Sequence, residues 1–169
     1  MLALACALPL VAQAAVPASV TARAESRAEG NDRARAVALG EALLGTLWPA
    51  QILKIRIDAA LDHRVAGIVL SGVKFHEPLD EAGFLREVQA IVTRAFAQVP
   101  VEEVDLWTTV PLDAGKGAIV SGDLARPTAR TVFSVTVRRP ELPRLDALLR
   151  SGGVFWDEAW RASLRGRAP

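Results

Sequence analysis

Val65-Ala66-Gly67-Ile68-Val69-Leu70-Ser71-Gly72-Val73, followed by Phe75-His76-Glu77-Pro78-Leu79-Asp80, opens the stretch that decides the fold. The apolar run is hydrophobic at odd and even positions alike, which places it centrally in a sheet. A patterned helix then extends from about Asp80 to Ala97. Phe84, Val88, Ile91 and Ala95 recur at i, i+4, i+7 and i+11, and Leu85, Val92 and Phe96 widen the stripe. Arg86, Glu87, Gln89 and Arg94 fall largely on the other side. Asp80 suits the N-cap, where its carboxylate accepts from free first-turn amides. Val99-Pro100 stops the helix, and Val101 to Val110 reads as another strand. Pattern, breaker and cap signals agree throughout this strand–helix–strand unit, from His63 to Val110.

The flanks supply what packs around it. Leu53, Ile55, Ile57 and Ala59 alternate with Lys54, Arg56 and Asp58, the period of a half-buried strand. Asp62-His63-Arg64 reads as a turn, making an antiparallel hairpin with the apolar run. Farther upstream, Asn31 or Asp32 suits the N-cap of a helix to about Trp48, with Val37, Leu43, Leu44, Leu47 and Trp48 on its apolar face.

Downstream, Val104, Leu106, Thr108 and Val110 line one face of a third strand, and Thr131, Phe133, Val135 and Val137 one face of a fourth. Pairing Val110 near Arg130 sets Glu102 and Glu103 opposite Arg138 and Arg139. Pro111 to Arg130, between them, reads as a long protruding loop. Pro140 ends the sheet. Leu142, Leu145, Leu148 and Leu149 mark a short helix closed by Ser151-Gly152-Gly153, and Trp156, Trp160 and Leu164 share one face of another.

The expected order is α-β-β-α-β-β followed by short C-terminal helices. This is an α+β domain with a four-stranded, mainly antiparallel sheet and one main helix packed on it. The alternation from Val65 to Val110 loosely resembles that of small envelope domains such as BON modules. The long hairpin loop departs from their pattern, and no residue role transfers with the resemblance.

At 169 residues and 51% hydrophobic, the chain is the size and composition of one globular domain. A net charge of +1 supplies no general field for nucleic acid, which is not expected as a partner. Arg126, Arg130, Arg138, Arg139, Arg144 and Arg150 make a basic set without interleaved aromatics.

Met1 to Val16 is almost wholly apolar and contains Ala12-Gln13-Ala14, a small-x-small cleavage pattern. It is shorter than the ~20 residues that span a bilayer. The pattern points to a periplasmic or extracellular protein, with residues 1–14 a signal peptide, 15–30 a tether and 31–169 a single α+β domain. Cys6, the single cysteine, falls in the leader, so the mature domain is expected to have no disulfide and no thiolate metal site.

Several chemistries are spelled only in part. Ser71-Gly72-Val73-Lys74 has the Ser-x-x-Lys spacing of penicillin-recognising enzymes, but on a strand those two positions point to opposite faces. Gly115-Lys116-Gly117 lacks the upstream Gly and the following Ser or Thr of a phosphate-binding loop, leaving Lys116 as a loop-tip binding residue. Asp113 and Asp123 lack EF-hand spacing. His76, Glu77 and Asp80 stand at the strand–helix junction, where an imidazole and two carboxylates would suit a divalent metal or proton transfer if they converged. No cofactor and no metal is assigned.

Trp156, Trp160 and Arg161 suit a partner groove or a lipid headgroup layer. The simpler expectation packs this aromatic face on the uncovered side of the sheet or on the N-terminal helix. The function expected is that of a non-catalytic exported domain binding a protein or envelope component, with peripheral membrane contact through the C-terminal helix as a further option. The alternative is a small hydrolase or metal-assisted enzyme using His76, Glu77, Asp80 and the 111–130 loop.

Overall fold

A computed structural model describes residues 18–46, 48–60, 63–112 and 129–166, with side chains described from Gly30 onward. The leader, Lys116, Arg126 and the rest of 113–128 lie outside the described residues. The elements are helix α1 (Ala18–Leu44), strands β1 (Ala50–Ala60) and β2 (His63–Phe75), helix α2 (Glu81–Gln98), and strands β3 (Glu103–Pro111) and β4 (Ala129–Arg138). A 3-10 turn (Arg139–Arg144), helix α3 (Leu145–Arg150), strand β5 (Phe155–Trp156) and helix α4 (Glu158–Arg165) follow.

The class is α+β, and the sheet is mixed, with five strands in the order β1-β2-β3-β4-β5. It differs from the four-stranded expectation in two ways. β2 and β3 run parallel, from Val65 opposite Glu103 to Ser71 opposite Thr109, while the other pairings are antiparallel. The cause is α2, since a strand–helix–strand run returns the chain to the end of the sheet where it began. β5 adds a two-residue strand, too short to leave any period in the sequence.

α1 begins at Ala18, so it takes in residues 18–30, a stretch that reads from the sequence as a tether or a frayed helix. Ala, Arg and Glu favour helix without any apolar stripe, and that composition carries the helix upstream. Asp32 is therefore not a cap. It is buried inside α1, and its carboxylate accepts from Arg35 at 2.6 Å and Arg64 at 2.9 Å. Leu39 and Leu43 are the buried apolar residues among those described in the helix, whereas Val37 and Leu44 are exposed. Trp48 follows the helix, and its indole donates to the Leu43 carbonyl.

α2 buries Phe84, Val88, Ile91, Val92, Ala95 and Phe96, as its spacing predicts. Opposite them lie Ile68 and Leu70 of β2, Leu106 of β3 and Phe133 of β4, all fully buried. Each large apolar side chain contributes ~1.5–3 kcal/mol by leaving water. Asp80 caps the helix, accepting from the Gly83 amide at 2.6 Å. At the other end, Arg139 donates to the carbonyls of Phe96, Val99 and Val101.

Val110 pairs with Arg130 as expected, and Arg138 lies 3.3 Å from Glu103. Glu102 instead accepts from the Arg64 amide at 2.8 Å, because Arg139 is drawn to the helix end. An irregularity between Thr108 and Thr109 shifts the inward set of β4: Val132 and Phe133 are both buried and Thr131 is exposed. His63 and Arg64, expected in a turn, already belong to β2.

α1 packs on β1 and α2, and α3 and α4 pack on α2. All the helices therefore lie on one side of the sheet. Among the described residues, no helix covers the other side.

Candidate functional site

Strand pairing lines up Lys54, Val69, Trp107, Ser134 and Phe155 in one row across the open face. Arg56, Gly67, Asp105 and Thr136 form the next row, and Asp58, Val65, Glu103 and Arg138 the one after. At a strand spacing of about 4.8 Å, the backbones of Trp107 and Phe155 are roughly 10 Å apart. Ser134 between them is small, so the two aromatic side chains flank a shallow step.

Trp107 and Arg56 both lean over Gly67. A Cβ added at that glycine would come within 3.2 Å of the Trp107 ring and 3.0 Å of the Arg56 Nε. The guanidinium lies 5.8 Å from the indole centroid, a cation–π contact. The Thr136 hydroxyl donates to Asp105 at 2.5 Å. Phe155 is 52% exposed. The sequence reading missed this surface because Trp107 and Phe155 are far apart along the chain. The alternation of Trp107 with Leu106 and Thr108 was the available signal.

The C-terminal aromatics turn inward. Trp160 is 7% exposed, and its indole donates to the Gly72 carbonyl at 2.9 Å. Its ring meets Phe84 edge-on at 5.2 Å and Trp156 at 5.9 Å, and Trp156 meets Phe133 at 4.7 Å. Arg161 stands 5.0 Å from the Trp156 ring and binds Glu81 at 2.6 Å, which Arg165 also engages. The Arg161 hydrogen bond holds the Glu81 carboxyl below its ordinary range, and that same bond raises Arg161. Asp157 caps α4 by accepting from the Trp160 amide, which lowers its pKa.

α4 thus docks on α2, not on the open side of the sheet or on the N-terminal helix. The reason is an aromatic pocket made by Phe84 and Phe133. Leu164 is buried too, so the apolar face of α4 packs into the core.

His76 and Glu77 are exposed at the strand–helix junction. The His76 amide donates to the Pro49 carbonyl at 2.7 Å. Its side chain borders a cleft of about 410 Å³ with Leu44, Trp48, Ala50 and Ile52. Asp80 is occupied as the cap of α2. Among the described residues, no cluster of three or more His, Cys, Asp or Glu is placed to hold a metal, so His76, Glu77 and Asp80 do not form one. Ser71 Oγ accepts from the Val73 and Lys74 amides, just where the pairing of β2 with β3 ends.

Glu87 is a residue the sequence reading put on the wrong side. It is buried in α2, and its Oε1 has no hydrogen-bond partner among the described residues. Burial pushes its carboxyl up to about 7; the Ala50 amide opposes this rise, and the charge of Glu77 adds to it. Its position, three after Phe84 and four before Ile91, already placed it within the apolar stripe.

A second cleft, of about 570 Å³, is bordered by His63, Glu102, Glu103, Arg138 and Arg139. Within it Glu103 lies 3.6 Å from His63 and 3.3 Å from Arg138, while Glu102 and Arg139 are engaged by backbone groups. Of the basic set, Arg130 pairs with Asp157 and Arg150 with Asp146.

No protein-family model, curated protein or solved structure matches this chain. Among its described residues, one face of the sheet carries no helix.

Proposed function

We propose that this protein is an exported, non-catalytic binding domain that holds a protein or envelope component against its open sheet face. One observation carries this reading: every described helix lies on one side of the sheet, while Trp107 and Phe155 stand in one row on the other. Aromatic side chains that keep exposed apolar area are the usual anchors of interfaces. Trp156 and Trp160 serve this surface indirectly. Trp156 pairs with Phe133 on the covered face, and the alternation of the strand then turns Phe155 outward. The export part rests on the apolar leader ending near Ala15.

The test immobilises the native protein beside the Phe155→Ser and Thr136→Arg variants and exposes all three to an envelope extract. A component retained by the native protein and lost from both variants supports the reading. The same components on all three surfaces reject the open face. Sequencing the N-terminus of protein from the envelope fraction checks export. A start near Ala15 supports it, and an intact Met1 in the cytosolic fraction rejects it.

A further inference from the structure

The two edges of the sheet are finished differently. On the β4 side, β5 pairs with Phe133 and Ser134, and the Asp157 amide donates to the Val132 carbonyl at 2.8 Å. On the β1 side, no described segment hydrogen-bonds to the outer backbone edge. The irregularities of β1 are confined to Ala50–Lys54, and from Lys54 to Ala60 its register with β2 is unbroken. That regular run presents amides and carbonyls that no described segment pairs, a template for another strand.

Apolar side chains are exposed on the same side. Val37 is 55% and Leu44 70% exposed on α1, and Leu53 is exposed on β1 itself. Arg33, Val37, Gly40 and Leu44 recur at i, i+4, i+7 and i+11, making one stripe of the helix. A Cβ added at Gly40 would lie 3.8 Å from the Ile55 Cδ1, so this stripe borders β1.

We infer that a second copy of this chain occupies this edge, β1 pairing antiparallel with β1 about a twofold axis at Ile57, so that the two sheets become continuous and the two α1 stripes meet. Charge selects the register. With the axis at Ile57, Arg56 of each copy stands opposite Asp58 of the other, giving two opposite-charge pairs. An axis at Ile55 would set Lys54 against Arg56 twice, and an axis at Arg56 would form two Lys54–Asp58 pairs only by setting Arg56 against itself between them. The side chains of Arg56 and Asp58 are 54% and 53% exposed and lie 2.9 Å apart within one copy. They are free to exchange partners across the axis without disturbing the core. The interface uses the strand edge and α1 and leaves Phe155 untouched, so it stands or falls separately from open-face binding.

Sedimentation equilibrium of the full chain over a concentration series tests the inference. The expected native mass is twice the 18.0 kDa of one chain. Asp58→Arg turns both cross-axis pairs repulsive and should weaken association by at least about tenfold. The charge-swapped double variant, Arg56→Asp with Asp58→Arg, should restore it. Leu44→Lys leaves the strand intact and should also weaken the dimer, so it decides the matter if Asp58→Arg fails to fold by circular dichroism. A native chain that stays monomeric throughout, or folded single variants that dimerise as the native chain does, would overturn the inference.

Discussion

Toward α2, β3 presents Val104, Leu106, Thr108 and Val110, all buried; toward the open side the same strand presents Glu103, Asp105, Trp107 and Thr109, all partly exposed. The two sets share one backbone and one register, yet they work under different constraints. On the covered face a change of one methyl group meets packed neighbours. On the open face side chains have room to move, and identity there is free to answer to a partner. The difference teaches where this molecule holds its stability and where it can carry a function.

The largest break in that contrast should come from Trp160→Ala. Removing a buried indole should cost ~3–5 kcal/mol in denaturant unfolding, and a loss below about 1 kcal/mol would place α4 outside the core. Two glycines on the same strand compare the faces directly. At Gly72, on the covered side, an added Cβ would come within 2.7 Å of the Val110 Cγ1, a stiff side chain with nowhere to go. Gly72→Ala should therefore cost ~1–3 kcal/mol. At Gly67 the nearest atoms belong to Arg56 and Trp107, which can swing into solvent, so Gly67→Ala should cost less. A larger loss at Gly67 than at Gly72 would mean that the faces do not differ as described.

Glu87 tests the covered face through pH. Its folded pKa, about 7, stands above the ordinary value of 4.5. The folded state therefore holds the proton more tightly than the unfolded state. That contribution is fully present below about pH 4.5 and is lost as pH rises through about 7. Native stability should fall across this window more steeply than that of Glu87→Gln, as read by thermal melts at several pH values. Equal slopes would show that Glu87 does not titrate as a buried group. Thr108, fully buried with a hydroxyl that no described residue partners, should tolerate Thr108→Val with a gain of about 1 kcal/mol. The smallest effect belongs to the open face: Phe155→Ser should change stability by no more than about 0.5 kcal/mol. A clear loss of stability there would reassign Phe155 to the core.

What the sequence disclosed was local. The stripe of α2 and its Asp80 cap depend on neighbours within a few positions, and both formed as read. Pairing direction and sidedness depend on residues far apart. The parallel union of β2 and β3 was implied by the helix between them, yet alternation alone does not distinguish parallel from antiparallel strands. The irregularity at Thr108–Thr109 reversed the inward parity of β4 before Phe133, with no Gly or Pro to mark it, and left Phe133, Val135 and Val137 inward as read. The open-face row was the least legible, because Trp107 and Phe155 meet only through Ser134 of an intervening strand. The tail was legible as an amphipathic helix, but the pocket that receives its Trp160 is assembled from α2 and the sheet.

The parallel seam between β2 and β3 also has a kinetic consequence. β1 and β2 are joined by a short link, and such hairpins close in about 1–10 μs. The seam brings together Arg64 and Glu102, separated by 38 residues, and it needs α2 laid across the sheet before both strands are held. Closing so long a loop is slow relative to hairpin formation. Refolding should therefore be paced by this one union. Amides along the β2–β3 boundary should gain protection from hydrogen exchange later than those within the β1–β2 hairpin.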